Sequence, residues 1–298
     1  MEWVLFAVIS PAFWALTVVG TKILVDKRFS NPIPFSIFIN IFDLIYVAGV
    51  FLFLPVEFNL PFSLITMLVG PLNVLGFWLM CKALMLEDVS RISTLNQLAP
   101  IGVTFASAIF LGEVLSPSQY LGVFLIVSAS MIISYRRVEG RAAVTPAIGF
   151  VLASVALSVF YNLVTKQILM NVDPWSYFFW VSVGVFVTKL VLLLSSQVRR
   201  DFREMVKLLD YRAYIGVLLT ETLFFMGYIT LLIAVANGPV SIVSALGSLQ
   251  PFFVFIFSLF LSFLLPQMLR EELTRFELFQ KAFAVTLIFT GMWLLNVF

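Results

Sequence analysis

Ten runs of about twenty apolar residues, separated by short polar stretches, set the plan of this chain. They cover Trp3–Leu24, Pro34–Leu54, Phe62–Met85, Ser90–Leu111, Gln119–Tyr135, Pro146–Leu169, Trp175–Ser195, Arg212–Val235, Val240–Leu265 and Glu277–Val297. A hydrocarbon core of roughly 30 Å is crossed by about 20 helical residues. The pattern therefore predicts an all-α integral membrane protein with ten transmembrane helices.

The runs also repeat. Ala83, Val89, Ser90, Ser93, Leu95 and Pro100 recur as Ala234, Val240, Ser241, Ser244, Leu246 and Pro251, a constant offset of 151. Ser10, Thr21 and Lys22 recur as Ser154, Thr165 and Lys166, an offset of 144. The second and seventh runs both open with Pro-aromatic-Ser, at Pro34-Phe35-Ser36 and Pro174-Trp175-Ser176. Each copy thus spans five helices, residues 1–137 and 146–298, with 138–145 as the linker. An odd number of helices makes the second copy enter the membrane from the opposite face. The expectation is two inverted five-helix repeats with a substrate site between them near the midplane.

Composition narrows the class. The 298 residues are 61% hydrophobic and 11% charged, with mean hydropathy +1.07, whereas soluble domains carry about 25% charged residues. With no histidine and one cysteine, Cys81, a disulfide framework or a Cys/His metal site is excluded. Neither a metal nor a cofactor is expected. No glycine-rich phosphate loop appears, which disfavours ATP hydrolysis, and a net charge of +2 without a basic aromatic surface argues against nucleic acid. The N-terminus lacks a basic region and a small-residue cleavage site, so it is read as a retained first helix.

Basic residues fix an expected orientation. Lys22, Lys27, Arg28, Arg91, Arg136, Arg137, Arg199, Arg200, Arg270 and Lys281 fall at one face, Lys166 at the other. The positive-inside rule then puts the odd-numbered loops in the cytoplasm and both termini outside, in a multi-pass protein of the cell membrane. Residues Arg199–Tyr211 form the longest charged segment. It is read either as a short amphipathic helix along the cytoplasmic headgroups or as a solvated connector.

The duplicated five-helix unit, the Thr-Lys closing helices one and six, the mid-helix prolines and LGEVLSPSQYLGVFLIVSASMII at Leu111–Ile133 resemble the EamA-like branch of the drug/metabolite transporter superfamily. The resemblance implies a ten-helix secondary transporter with a central cavity, often an exporter of amino acids or other small metabolites. Two departures stand out. The second copy lacks the Gly-Glu turn of Gly112-Glu113, and the resemblance implies cytoplasmic termini, against the charge count.

Candidate functional residues are the polar groups inside the spans, since an ionised group at the bilayer centre costs at least ~2.5 kcal/mol. Asp43 and Glu221 lie midway along helices two and eight, and either can take up and release a proton as access alternates. The structural alternative is an acid paired with a lysine such as Lys189. Lys22 and Lys166, at opposite faces, are read as substrate or gate cations, or as headgroup anchors. Pro100 and Pro251 each remove a helix hydrogen bond in mid-membrane and are the expected hinges. Asn96 and Gln97 beside the first, with Ser248 and Gln250 beside the second, would line the cavity, or satisfy the freed backbone. Asn73 and Asn162 are read as packing groups, and the aromatic cluster Trp175, Tyr177, Phe178, Phe179 and Trp180 as an interface belt.

The expected function is a secondary active transporter, not an enzyme. It would export amino acids or other small polar metabolites by alternating access, with proton coupling as an option. Its partners are a small-molecule substrate, the lipid bilayer and protons. A nucleotide-sugar or sugar-phosphate antiporter, a lipid-moiety flippase and a non-transporting membrane sensor or assembly factor are the alternatives.

Overall fold

The computed structural model describes residues 2–24, 32–87, 89–135, 146–207, 209–264 and 275–296; the side chains of 21–24, 32, 89–90, 212, 262–264 and 275–278 lie outside the description. These residues form thirteen helices: α1 Glu2–Leu24, α2 Pro32–Phe53, α3 Leu60–Leu84, α4 Val89–Asn96, α5 Ala99–Phe110, α6 Pro117–Ser134, α7 Pro146–Leu169, α8 Pro174–Leu192, α9 Ser196–Lys207, α10 Tyr211–Asn237, α11 Val240–Gly247, α12 Gln250–Leu264 and α13 Arg275–Leu294. Among the described residues, eight stretches are long and apolar enough to cross a membrane, with Val240–Leu261 taken as one. The fourth apolar run, α4 and α5, falls outside that set, as does the tenth, whose described apolar part is the short stretch Phe279–Leu294.

The distribution of side-chain size is that of a protein made for lipid. Large apolar groups such as Leu5, Ile45, Leu68, Ile109, Leu219 and Trp293 point outward. Small residues, among them Ala15, Ala83, Ala129, Ala147, Ala234 and Ala245, fill the interior. Lipid tails are as apolar as leucine, so helices in a bilayer associate through close backbone packing rather than by hiding apolar area. The crossing of α3 and α8 shows the principle at its limit. Gly70 lies against the backbone of Gly184 and Val185, and Gly184 against the Met67 carbonyl.

Helix boundaries follow local chemistry. Ser116 accepts from Gln119 N at 3.3 Å, while the Gln119 side chain accepts from Ser116 N at 3.0 Å, a reciprocal cap with Pro117 at the first helical position. Gly112, at φ +69°, supplies the left-handed turn that releases the chain after α5. Asp173 opens α8 by accepting from Trp175 N at 2.9 Å and Ser176 N at 3.0 Å. Asp173→Ala should therefore lower stability by about 1 kcal/mol; an unchanged melting temperature in detergent micelles would refute that role.

The two prolines stand where the fourth and ninth apolar runs divide. Each sits in the first turn of a new helix, Pro100 in α5 and Pro251 in α12. Before each break the chain tightens into i→i+3 bonds, Gln97 N to Thr94 O and Leu98 N to Leu95 O. The same bonds recur 151 positions later, Ser248 N to Ala245 O and Leu249 N to Leu246 O. A missing N–H and a fixed φ suit a helix start better than a helix interior. Leu98 and Ser248 themselves keep right-handed helical backbone, at φ −71° and −65°, so each break is a local tightening of a continuous path. Segment Arg199–Tyr211 resolves into the helix α9 and a short link. Val198, Phe202, Met205 and Val206 form the partly buried face of α9, which packs against α2, while Arg199, Arg200, Arg203 and Lys207 are exposed.

Candidate functional site

Polar side chains gather at three depths. The first cluster joins α2, α8 and α10. Glu221, only 5% exposed, lies beside Asp43. Asn40, also 5% exposed, donates from Nδ2 to Asp43 Oδ2 at 2.7 Å, and its Oδ1 has no protein partner. Lys189 faces both acids and donates from Nζ to the Ser36 carbonyl at 2.8 Å. With one proton on its two carboxyls the cluster of two acids and one lysine is neutral; without it the cluster carries one negative charge in a medium that solvates charge poorly. The two acids singled out by sequence thus share one site, and the lysine named as a structural partner belongs to it as well.

The second cluster lies nearer the centre and was not legible as a site. Tyr161 and Tyr228 share a hydroxyl–hydroxyl hydrogen bond of 2.7 Å, and Thr165 and Tyr177 one of 2.6 Å. Phe178 and Phe224 pack on Tyr228, and Trp14 stacks on Phe224. This corrects the reading of residues 175–180 as an interface belt, because Tyr177 and Phe178 turn into the core. A tyrosine in mid-span offers an apolar body to its neighbours and a hydroxyl to a partner. Its sequence signal was its depth within an apolar run, a signal shared with many scattered aromatics.

The third cluster closes the face that carries the α5–α6, α7–α8 and α10–α11 links. Lys166 donates from Nζ to Val235 O at 2.8 Å and to Gly238 O at 2.9 Å. Glu113 accepts from Val240 N at 3.2 Å and from Ser241 N at 3.4 Å. Lys22, paired with Lys166 in the sequence repeat, lies outside the described side chains.

The helix breaks lie at the heart of the bundle, where α5 packs on α7 and α11, and α1 on α11 and α12. Asn96, Gln97 and Gln250 are half-buried there. Ser248 is buried; its carbonyl accepts from the Ser130 hydroxyl, and its own hydroxyl has no protein partner. Pro100 is buried and Pro251 half-buried. Among the described residues, no hydrogen bond joins them to the acid cluster.

Comparison with known proteins agrees with this architecture. A solved crystal structure superposes with TM-score 0.70 at 15% identity, covering 98% of this chain and 94% of that one. At that identity the match shows the fold alone. No curated protein sequence matched the chain. Residues 1–135 match the model described as the EamA-like transporter family. The chain is a multi-pass membrane protein whose first 135 residues match the EamA-like transporter family, a family that belongs to the drug/metabolite transporter superfamily.

Proposed function

We propose that this protein is a secondary transporter that exports amino acids or other small polar metabolites by alternating access, driven by protons taken up at the Asp43–Glu221 pair. The observation that carries the reading is the shared carboxyl site beside Lys189: a buried group that is neutral with one proton and charged without it gives proton binding a direct effect on helix packing. Two inverted five-helix repeats, residues 1–137 and 146–298, are the frame. Ten crossings follow when α4–α5 and α13 are added to the eight long apolar stretches.

Reciprocal bonds between the halves support that frame. Ser10 Oγ donates to Gly227 O at 2.8 Å, joining α1 to α10. Ser154 Oγ donates to Gly76 O at 3.4 Å, joining α7 to α3. Ser154 follows Ser10 by 144 positions and Gly227 follows Gly76 by 151, the offsets of the sequence repeat. The first helix of each half thus bonds the third helix of the other. A nucleotide-sugar or sugar-phosphate antiporter would need free cations in its cavity. Lys166 is held by two carbonyls, and Lys189 donates to a carbonyl and feels the charge of two acids, which favours a substrate without phosphate.

The test compares intracellular and medium metabolites in cells making the wild type or Glu221→Gln at equal membrane levels. One metabolite should accumulate in the medium with the wild type, and its export should fall by about tenfold or more in the variant, the loss expected when ~1.4 kcal/mol of coupling disappears. Equal pools in cells with and without the wild-type protein would remove the exporter reading. Export that proceeds unchanged in Glu221→Gln would remove the coupling role.

A further inference from the structure

The link between α10 and α11 leaves two opposite partial charges side by side. The last carbonyls of α10 and the first amides of α11 lack helical partners, and each helix end carries a dipole of matching sign. Serine or aspartate commonly caps such a start. Here the N-cap is Pro239, which has no side-chain oxygen to offer. The missing acceptor comes from a distant part of the chain. Glu113 Oε1 accepts from Val240 N at 3.2 Å, and Oε2 accepts from Ser241 N at 3.4 Å and from Ser241 Oγ at 3.3 Å. The turn that delivers Glu113 is fixed by Gly112 at positive φ and by Glu113 N donating to Ser107 O at 3.2 Å.

Lys166 serves the other end. Its ammonium donates to Val235 O and Gly238 O, the terminal carbonyls of α10, and is attracted to the Glu113 carboxylate. An acid on the α5–α6 turn and a lysine on α7 thus hold one interhelical break between them. Both are half-buried, so water can replace each partner when the helices part. The Glu113 contacts, at 3.2–3.4 Å, are long, and both groups are wet enough for their bonds to be exchanged with water.

We infer that Glu113 and Lys166 form a clasp that holds this face of the protein shut and releases when the face opens. Glu113 is a positioning residue of the gate. Lys166, committed to backbone carbonyls in the closed face, is a gate cation rather than a receptor for substrate. The inference rests on the alternating-access reading but is independent of the substrate and of proton coupling.

A labelling experiment tests it on the full chain in sealed vesicles. In a Cys81→Ser background, Thr165→Cys places a single thiol beside Lys166 at a position only 4% exposed. A membrane-impermeant maleimide is then added from each side in turn. Glu113→Ala should raise the labelling rate from the clasp face by about tenfold, equivalent to ~1.4 kcal/mol, with the opposite face unchanged. Glu113→Gln keeps volume and one acceptor, so it should give a smaller rise in the same direction, and it carries the test if the alanine variant does not accumulate. Labelling at the parental rate in whichever variant accumulates overturns the clasp. So does a rise from both faces, which marks general loosening. A rise from the clasp face, combined with export unaffected by Glu221→Gln, retains the clasp while removing the coupling proposal.

Discussion

Gly184→Ala lowers the melting temperature of the protein in lipid nanodiscs, whereas Gly49→Ala raises it slightly. Both glycines stand inside transmembrane helices, so the helix-forming advantage of alanine, about 0.5–1 kcal/mol, is the same for each. Their surroundings decide the sign. A methyl group on Gly184 would overlap the carbonyl oxygen of Met67, while one on Gly49 would meet nothing within 4 Å. The obstacle at Gly184 is backbone, which has no rotamer to turn away, so α3 and α8 must move apart. Overpacking of this kind costs typically 1–3 kcal/mol, enough to reverse the propensity gain. Equal melting temperatures for the two variants would mean that the α3–α8 contact yields at no cost.

Lys189→Met is the second large effect. It leaves Asp43 and Glu221 facing each other without the cation that faces them both. Removing one member of a buried ion cluster strands the remaining charge, and about 2–3 kcal/mol of stability should be lost. Adding Asp43→Asn and Glu221→Gln together removes both acids, and so the stranded charge, at nearly the same side-chain volume. The triple variant should therefore recover much of the loss, a coupling larger than the ~0.5 kcal/mol within which distant sites add. The four melting temperatures of the cycle, with the acid pair changed as one unit, decide it: purely additive changes would show that Lys189 and the acid pair act separately.

The apolar runs, their repetition and most helix ends can be read from the linear chain because each depends on neighbours within a few residues. Ser116, Gln119 and Gly112 act within one turn of themselves, and their roles follow from local rules. Asp43 and Glu221 stand out for a similar reason, since any carboxyl in an apolar run is conspicuous. Their meeting is another matter. They are 178 positions apart, and only the packing of α2 on α10 brings them together.

Pro100 and Pro251 show a finer limit. A proline in an apolar run announces a disturbed helix, but the form of the disturbance is not written beside it. The outcome depends on whether the preceding turn tightens, as it does at Leu98 and Leu249. Glu113 and the tyrosines were illegible for a third reason. Glu113 looks like an ordinary loop acid until Pro239, across the bundle, is seen to leave a helix start uncapped. Tyr161 and Tyr228 are conspicuous only as a pair.

Gly70 has a consequence in the other half of the chain. Counting 151 positions onward, the place in α10 that answers to Gly70 in α3 is held by Glu221. Where one half lets two backbones touch by having no side chain, the other puts a carboxyl. On the proposed reading, the contact at Gly70 closes by shape alone and the one at Glu221 only when its charge is cancelled, so a proton acts on one half of the frame and not on the other.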